Sequence, residues 1–150
     1  MKKISLVTGC AGFIGSHMVD FLLKKKHYVI GIDNLVSGKN KNLKYARGNK
    51  NFKFIRGNIK NFAKLCKENK LSKLDYIFHF AGHGELIPSI ENPLEYFKNN
   101  AYNSAIIIDY VKNNFNLKKL VYAASSSCYG ISNNRTDESQ KIKLEHPYAF

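Results

Sequence analysis

A glycine-rich segment near the amino terminus is the stretch of this chain best suited to bind a phosphate. Residues 8–17 read Thr-Gly-Cys-Ala-Gly-Phe-Ile-Gly-Ser-His and follow a short apolar run, residues 4–7. In a turn from strand to helix, Gly9 suits the tight bend, Gly12 lets backbone N–H groups approach a pyrophosphate, and Gly15 lets the helix pack close to the strand. The positive end of the helix then faces the diphosphate. A glycine triplet alone is a weak signal, so its context decides.

An acidic residue follows the glycines at the distance that a dinucleotide site requires. A second apolar run, residues 28–32, ends at Asp33, about twenty residues after the turn. This completes a strand–helix–strand unit whose acid could bind an adenosine ribose. The alternative is that Asp33 only caps the polar loop 34–42. Spacing and position both favour the ribose.

Polar and small residues also follow the later predicted strands, residues 52–55, 75–80 and 120–124. His83, just after the fourth strand, could act as a base, although a lone loop histidine more often does not. Because the carboxyl ends of parallel strands meet at one edge of a sheet, we expect one shared edge. The residues predicted there are Thr8, Asp33, Asn58, Ala81 and Ser125.

Helical patterns separate these strands. The first predicted helix has an apolar face made of Ile14, Met18, Phe21 and Leu22. Asn61 is predicted to cap a short helix, and Asn92 with Pro93 to begin a long one. The expected buried stripe of the long helix is Leu94, Phe97, Ala101, Ile108, Val111 and Phe115. Alternating strands and helices predict an α/β fold: a Rossmann-type, doubly wound parallel sheet with helices on both faces.

Composition excludes several classes of protein. With 150 residues, 44% of them hydrophobic, the chain can bury a core and forms at most one domain. No run approaches the ~18 apolar residues of a membrane span, and a signal peptide is not indicated. The three cysteines, Cys10, Cys66 and Cys128, are odd in number and lack metal-site spacing. They predict a cytoplasmic protein with free thiols and no metal site.

The formal charge of +13 raises the question of a polyanionic partner. The lysines are spread over predicted helix ends and loops, without the aromatic residues of a nucleic-acid interface. We therefore expect a solvated surface that helps to capture an anionic nucleotide, with neither nucleic acid nor membrane as partner. A nucleic-acid binder stays open as an alternative that rests on charge alone.

The motifs together resemble those of a known family. They are the glycine segment 8–17, Asp33-Asn34, Gly57-Asn58-Ile59, His79-Phe80-Ala81-Gly82, Ser89 with Pro93-Leu94-Glu95-Tyr96, Asn99, Ser125-Ser126-Ser127 with Tyr129-Gly130, and Pro147-Tyr148. In this order and spacing the chain is similar to extended short-chain dehydrogenases/reductases of the NAD-dependent epimerase/dehydratase family. Within that family it most resembles nucleotide-sugar 4-epimerases of the UDP-glucose 4-epimerase type.

The resemblance implies NAD as cofactor. It assigns the pyrophosphate to Gly9, Gly12, Phe13 and Ile14, with Gly15 as the packing glycine of the same cofactor motif. The adenosine ribose is assigned to Asp33 and Asn34, and the adenine to Asn58 and Ile59. The nicotinamide side is assigned to Phe80, Ala81, Gly82 and Asn99. An acid at Asp33 would repel the 2′-phosphate of NADP, since opposed like charges cost several kcal/mol. Two positions depart from the family pattern: Asn58, where Asp is usual, and Gly84, where some epimerases carry Lys.

The resemblance also implies a reaction. Tyr148 would take the proton from the sugar 4-hydroxyl while hydride moves from C4 to NAD⁺, and Ser125, with Ser126 as a neighbouring candidate, would orient the sugar. The ketose rotates and hydride returns to its other face, so NAD is recycled. In the family a Lys four residues after the Tyr assists. A free tyrosine has a pKa of about 10, so a phenolate near pH 7 needs ~4 kcal/mol of stabilisation.

Family members are about twice as long as this chain and have two domains. We therefore interpret residues 1–150 as an incomplete, C-terminally truncated NAD-binding Rossmann domain that lacks the catalytic helix and the substrate lobe. Alone it is expected to bind NAD weakly or not at all and to be inactive. The full-length protein is expected to be a homodimer acting on a UDP-sugar, with His83, Glu85 and Ser89 as candidate lining of the sugar site.

Other functions remain open at this point. Dehydratases and decarboxylases of the family usually carry an acid before the Tyr-Gly pair, where this chain has Ser127 and Cys128. The absence of that acid favours an epimerase, with an NAD(P)-dependent nucleotide-sugar reductase second and a dehydratase of the same family as a further alternative. A non-catalytic NAD sensor is a third, and the presence of Tyr148 and Ser125 argues against it.

Overall fold

A computed structural model describes residues 2–131 and 135–149. Strands and helices alternate along the chain. The strands are β1 (Ile4–Thr8), β2 (Tyr28–Asp33), β3 (Phe52–Arg56), β4 (Tyr76–His79) and β5 (Lys119–Tyr122). The α-helices are α1 (Phe13–Lys24), α2 (Lys44–Arg47), α3 (Phe62–Glu68), α4 (Leu86–Glu91), α5 (Pro93–Tyr96) and α6 (Asn103–Asn114). A π-helical segment, Phe97–Tyr102, joins α5 to α6, and 3₁₀ turns cover Asn40–Leu43, Ile59–Asn61, Ser126–Tyr129 and Pro147–Ala149.

The five strands form one parallel sheet in the order β3-β2-β1-β4-β5. The order reverses beside β1, as in doubly wound sheets, where ligands bind outside the carboxyl ends of the strands. Two hydrophobic clusters are formed by residues of the strands and of the helices that pack on them. One includes Phe62 of α3 and Ile107 of α6, and the other includes Val19 and Leu22 of α1. The predicted Rossmann-type α/β fold is confirmed.

The chain divides into two compact units. The first comprises residues 1–81 and 104–123 and contains the whole sheet. The second comprises residues 82–103 and 124–150 and contains α4, α5, the π-helical segment and the last two 3₁₀ turns. Within the described residues, no helix is both long and apolar enough to cross a membrane.

The predicted buried face of α1 is correct for Leu22, which is buried, and for Met18, which is partly buried, but wrong for the other two residues. Ile14 and Phe21 are 60% and 52% exposed, whereas the helix buries Gly15, Ser16, Val19 and Leu22. The reason is the close packing of the first helical turn, because a Cβ at position 15 would overlap the Gly9 carbonyl oxygen. Small residues therefore face inward in this turn, whereas Ile14, and Phe21 two turns later, are turned outward.

The predicted stripe of the long helix is also largely wrong. Leu94 and Phe97 are 64% and 59% exposed, and Ala101 and Ile108 are exposed as well; Val111 is buried and Phe115 partly buried, as expected. The residues that the helix buries instead are Tyr96, Asn103, Ser104 and Ile107. The wider turns of the π-helical segment break the spacing of 3.6 residues per turn, so a stripe extrapolated from Leu94 leaves the buried face.

The predicted cap at Asn61 is not formed, since its side chain makes no capping bond to α3. Asn58 caps instead: its Oδ1 accepts the Lys60 N–H at 3.0 Å and begins the 3₁₀ turn before α3. The two asparagines are three positions apart. Because a 3₁₀ turn precedes α3, the helical segment begins after Asn58, and Asn58 is the residue that caps it.

We expect Gly15→Ala to destabilise the protein. Its methyl group would lie 2.8 Å from the Gly9 carbonyl carbon. Because backbone atoms of a tight turn cannot move away without strain, the free energy of unfolding should fall by about 3 kcal/mol. Gly48→Ala is the control, because no atom lies within 4 Å of a Cβ there, and its effect should stay within ~1 kcal/mol. Urea denaturation measures both, and equal effects would contradict the close-packing explanation.

Candidate functional site

The turn between β1 and α1 has a conformation that only glycine adopts easily. Gly9 has a φ of 67°, and a Cβ there would lie 2.8 Å from the carbonyl carbon of Phe80 and from the nitrogen of Ala81. Its N–H donates to the Ile32 carbonyl at 2.9 Å, and its own carbonyl accepts the Gly12 N–H at 3.1 Å. The turn is therefore folded onto itself and packed against the ends of two neighbouring strands.

The amino terminus of α1 is left open for an anion. Gly12 is the N-cap residue and has no side chain with which to cap the helix. The first N–H groups of a helix lack partners within the helix and carry partial positive charge. Phe13 and Ile14, which follow, are exposed. The donor set suits a pyrophosphate, because backbone N–H groups can reach a phosphate where no Cβ intervenes.

Asp33 is buried at the end of β2, and both of its carboxylate oxygens accept backbone N–H groups. Oδ2 accepts from Ala11 in the glycine turn and Oδ1 from Leu35 in the following loop, each at 2.8 Å. Asp33 thus does cap its loop, the alternative role considered for it. Each carboxylate oxygen has a second lone pair, so these bonds are compatible with the predicted contact to ribose.

The loop after Asp33 is tied down over the same turn. A Cβ at Gly38 would lie 2.7 Å from Asp33 Oδ1, so backbone packs directly against the carboxylate. The Lys39 N–H and the Asn42 side chain both donate to the Ala11 carbonyl, at 3.0 and 2.8 Å. Asn34, predicted at the ribose, accepts the Val36 N–H at 3.0 Å. The glycine turn and the loop after β2 therefore form one hydrogen-bonded assembly.

The residues predicted at the adenine and along β4 lie in the same unit. Ile59 is buried in the hydrophobic core, which leaves its backbone and Asn58 for any contact to a ligand. Phe80 and Ala81 are partly buried, and the Ala81 N–H donates to Thr8 Oγ1 at 3.2 Å. These positions follow the carboxyl ends of β3 and β4, as predicted.

A buried polar chain that the sequence did not reveal runs beside Ala81. Thr8 Oγ1 lies 2.5 Å from His79 Nδ1, and His79 Nε2 lies 2.8 Å from Ser104 Oγ. All three residues are buried. Burial lowers the pKa of His79 to about 4, so the imidazole is neutral at physiological pH. Polar residues at the last positions of two adjacent strands were the available sequence signal.

Cys10 fills the space beneath the glycine turn. Its side chain is fully buried, and a Cβ at Gly31 of β2 would lie 2.7 Å from its Sγ. Burial, and to a lesser degree the Asp33 carboxylate, raises the pKa of this thiol. A neutral buried thiol is unreactive, so Cys10 is a packing residue. Cys66 is also buried, and all three cysteines are free.

In the second unit an asparagine holds the backbone of the loop after β4. The Asn100 side chain accepts the His83 N–H and donates to the His83 carbonyl, both at 2.8 Å. Asn99, predicted near the nicotinamide, donates to Asn100 Oδ1 at 3.1 Å. A Cβ at Gly82 would lie 3.2 Å from the same oxygen. The His83 ring is 3.8 Å from the Glu95 carboxylate.

The three predicted catalytic residues also lie in the second unit. Ser125 Oγ accepts the Ser127 N–H at 3.2 Å and caps the 3₁₀ turn that contains Ser126, which is exposed. Tyr148 lies in the turn Pro147–Ala149, with its ring parallel to that of His146 at 6.2 Å between centroids. A Cβ at Gly84 would be 4.0 Å from Tyr148 Oη, so position 84 adjoins this hydroxyl.

Among residues 2–131 and 135–149, no group of three or more His, Cys, Asp or Glu side chains could hold a metal ion.

Comparison with known proteins gives a consistent result. The profile of the family described as "NAD dependent epimerase/dehydratase family" matches residues 5–150. UDP-glucuronate 4-epimerase from Thermodesulfobacterium geofontis is 36% identical in an alignment of 150 positions that covers 96% of this chain and 46% of that enzyme. The chain thus spans a little less than half of this relative.

Solved structures agree with this match. UDP-N-acetylglucosamine 4-epimerase from Methanobrevibacter ruminantium, in complex with UDP-N-acetylmuramic acid, has a TM-score of 0.85 and 38% identity, covering 99% of this chain and 47% of that one. UDP-glucose 4-epimerase from Bifidobacterium longum, in complex with NAD⁺ and UDP, has a TM-score of 0.87 and 28% identity, covering 98% and 45%.

The buried histidine predicts a pH dependence of stability. The pKa of His79 is about 4 in the folded state, against 6.5 ordinarily, so below pH 6.5 the unfolded chain binds a proton that the folded chain excludes. The contribution of His79 to the free energy of unfolding is therefore fully present above pH 6.5. As the pH falls towards 4, the free energy of unfolding decreases by ~3 kcal/mol. Urea denaturation between pH 7 and 4 should show a shallower loss for His79→Gln. The exposed His17→Gln is the control and should keep the wild-type slope.

Proposed function

Because the chain belongs to the NAD-dependent epimerase/dehydratase family, we propose that the whole protein is an NAD-dependent nucleotide-sugar 4-epimerase of the UDP-hexose class. The observation that carries this proposal is the presence, in one chain, of the glycine turn and of Ser125 and Tyr148 in the family's order. The similarity to three 4-epimerases of UDP-sugars supports it. Residues 1–150 would be the NAD-binding part of that enzyme.

We propose NAD as the cofactor, since the residues present fit it. The turn has no Cβ at Gly9 or Gly12, and the amino terminus of α1 offers N–H groups to a pyrophosphate. Asp33 would accept from a ribose hydroxyl with the lone pairs that Ala11 and Leu35 leave unused. Phe80, Ala81, Gly82 and Asn99 are proposed for the nicotinamide side. When bound, NAD supplies the acceptor and donor of hydride.

The proposed chemistry of the second unit rests on two hydroxyl groups. Ser125 Oγ already accepts the Ser127 N–H, so its own proton is available to donate to a sugar oxygen. Tyr148 is the proposed base that takes the proton of the sugar 4-hydroxyl and later returns it. Gly84 leaves the space next to Tyr148 Oη without a side chain, which would admit the sugar. Because the proton and the hydride both return, the reaction has no net redox change.

The remaining proposals concern the substrate, the cellular location and the oligomeric state of the full-length protein. Its substrate is a nucleotide sugar, probed first with UDP-glucose and UDP-N-acetylglucosamine. Free cysteines support a cytoplasmic location, tested by fractionation of cells that express the protein. We also propose a homodimer of the full-length protein. Exposed Leu94 and Phe97 support it by offering apolar surface, and sedimentation at twice the chain mass is the test.

We expect the full-length protein to interconvert a UDP-hexose and its 4-epimer without net change in NADH absorbance. Tyr148→Phe removes the base and should lower kcat by about 10³-fold, in the range for general acid–base catalysis. Tyr45→Phe is the control, because Tyr45 is exposed on α2, and its kcat should be unchanged. Steady net oxidation of NADH during turnover would instead identify a reductase.

We expect NAD to bind more tightly than NADP, because the Asp33 carboxylate repels a 2′-phosphate. In Asp33→Asn the ratio of the two dissociation constants should move towards NADP by about tenfold or more. The ratio is informative even if the variant is less stable, because a loss of folded protein would lower the apparent affinity for both cofactors equally. Asp20→Asn, on α1, is the charge-matched control. Titrations of the full-length protein measure the ratio, and an unchanged ratio in Asp33→Asn would contradict the role of Asp33.

A further inference from the structure

The buried chain of Thr8, His79 and Ser104 lies at the carboxyl ends of β1 and β4. Thr8 is the last residue of β1 and His79 the last of β4, and the two are register partners in the sheet. Their side chains meet at 2.5 Å, and the far nitrogen of the imidazole reaches Ser104 Oγ on α6 at 2.8 Å. The three side chains are almost completely inaccessible to solvent. Polar groups at such a depth need partners, so each bond matters to the local structure.

Thr8 also joins two segments that are proposed to contact the cofactor. Its Oγ1 accepts the Ala81 N–H at 3.2 Å, and its carbonyl accepts the Phe80 N–H at 3.2 Å. The next residue, Gly9, packs so closely on the Phe80–Ala81 peptide that a Cβ would lie 2.8 Å from it. One hydroxyl therefore links the start of the glycine turn to the segment after β4.

The direction of the hydrogen bonds follows from counting protons. Thr8 Oγ1 accepts from Ala81, and its single proton needs an acceptor because an unpaired buried donor is costly. The nearest acceptor is His79 Nδ1. A neutral imidazole whose Nδ1 accepts carries its proton on Nε2, which then donates to Ser104 Oγ. Burial holds the pKa of His79 at about 4, consistent with a neutral ring.

We propose that Thr8 and His79 are positioning residues of the cofactor site, which hold the glycine turn against the Phe80–Ala81 segment through a neutral imidazole protonated on Nε2. The proposal rests on the proposed NAD-binding function. Neither side chain would touch the cofactor. They would instead fix the two stretches of backbone that contact it, the glycine turn and the Phe80–Ala81 segment. These stretches can approach so closely because Gly9 has no Cβ.

The chain contains a matched control for a purely structural role. At the opposite end of β1, Ser5 Oγ lies 2.8 Å from His27 Nδ1, so a buried hydroxyl on the same strand meets an imidazole in the same way. This pair is three residues from Thr8 along β1 and at the end of the strand away from the turn. A loss of stability is expected from breaking either pair, but an effect on the cofactor only from breaking the pair with Thr8.

The test compares Thr8→Val, Thr8→Ser and Ser5→Ala in the full-length protein. Thr8→Val keeps the shape and removes the hydroxyl, so the dissociation constant for NAD should rise by about tenfold or more. Thr8→Ser keeps the hydroxyl and should stay within about threefold of wild type, and Ser5→Ala within about twofold. Equal NAD affinity in Thr8→Val and wild type would overturn the proposal, as would an equal loss in Ser5→Ala.

Two measurements decide the question without NAD. Hydrogen exchange of the peptide that contains Gly12, whose N–H bonds to the Gly9 carbonyl, should be faster in Thr8→Val and unchanged in Ser5→Ala. Nitrogen NMR of labelled histidine in the wild-type protein should find the His79 proton on Nε2, and a proton on Nδ1 would overturn the proposal even if Thr8→Val does not fold. Absence of NAD binding to the wild-type protein would instead refute the proposed function, and these two readouts would still decide whether Thr8 and His79 hold the glycine turn in place.

Discussion

The carbonyl group of Gly9 constrains how the glycine turn and α1 can pack in the first unit. It accepts the Gly12 N–H at 3.1 Å, and it occupies the space that a side chain at position 15 would need. The turn therefore closes on itself, and α1 begins against it with small residues. With the Gly9 peptide also packed on the Phe80–Ala81 peptide, three segments meet there through backbone atoms alone. Such an approach is possible only where Cβ atoms are missing.

Backbone brought so close together must also satisfy its polar groups. Asp33 accepts the Ala11 N–H, while Asn42 and Lys39 donate to the Ala11 carbonyl. Thr8 accepts from Ala81 in the same way. The acid that the sequence assigns to a ribose is thus also a part of the fold, which holds the loop after β2 before any ligand arrives. The proposed contact to a ribose would use the lone pairs of this carboxylate that Ala11 and Leu35 leave unused.

Much of this architecture could be predicted from the sequence, because strands and turns are encoded locally. The apolar runs, the glycine spacing and Asp33 identified β1, β2 and the turn between them. Helix faces were harder to predict. Ile14 and Phe21 are exposed because close packing favours Gly15 and Ser16 inside, and a π-helical segment displaces the stripe that begins at Leu94.

The polar contacts were the other part that local patterns could not supply. The bond between Thr8 and His79 joins residues 71 positions apart, and the local sequence shows only that each is a polar residue at the end of a strand. The capping of the 3₁₀ turn by Asn58 instead of Asn61 depends on a single short turn. Catalytic roles for Ser125, Ser126 and Tyr148 stay predictions that rest on the family pattern.

The contact between Cys10 and Gly31 has a consequence for how this sequence can evolve. Because a methyl group at position 31 would collide with the Cys10 sulfur at 2.7 Å, the two positions cannot change independently. An alanine at 31 would also lie 3.0 Å from the Cys10 Cβ and from the Phe52 ring, so losing the sulfur would relieve the shortest of three contacts, and a larger residue at 10 requires that glycine be kept. Among descendants of this chain, the two sites should therefore vary as a pair although they lie 21 positions apart.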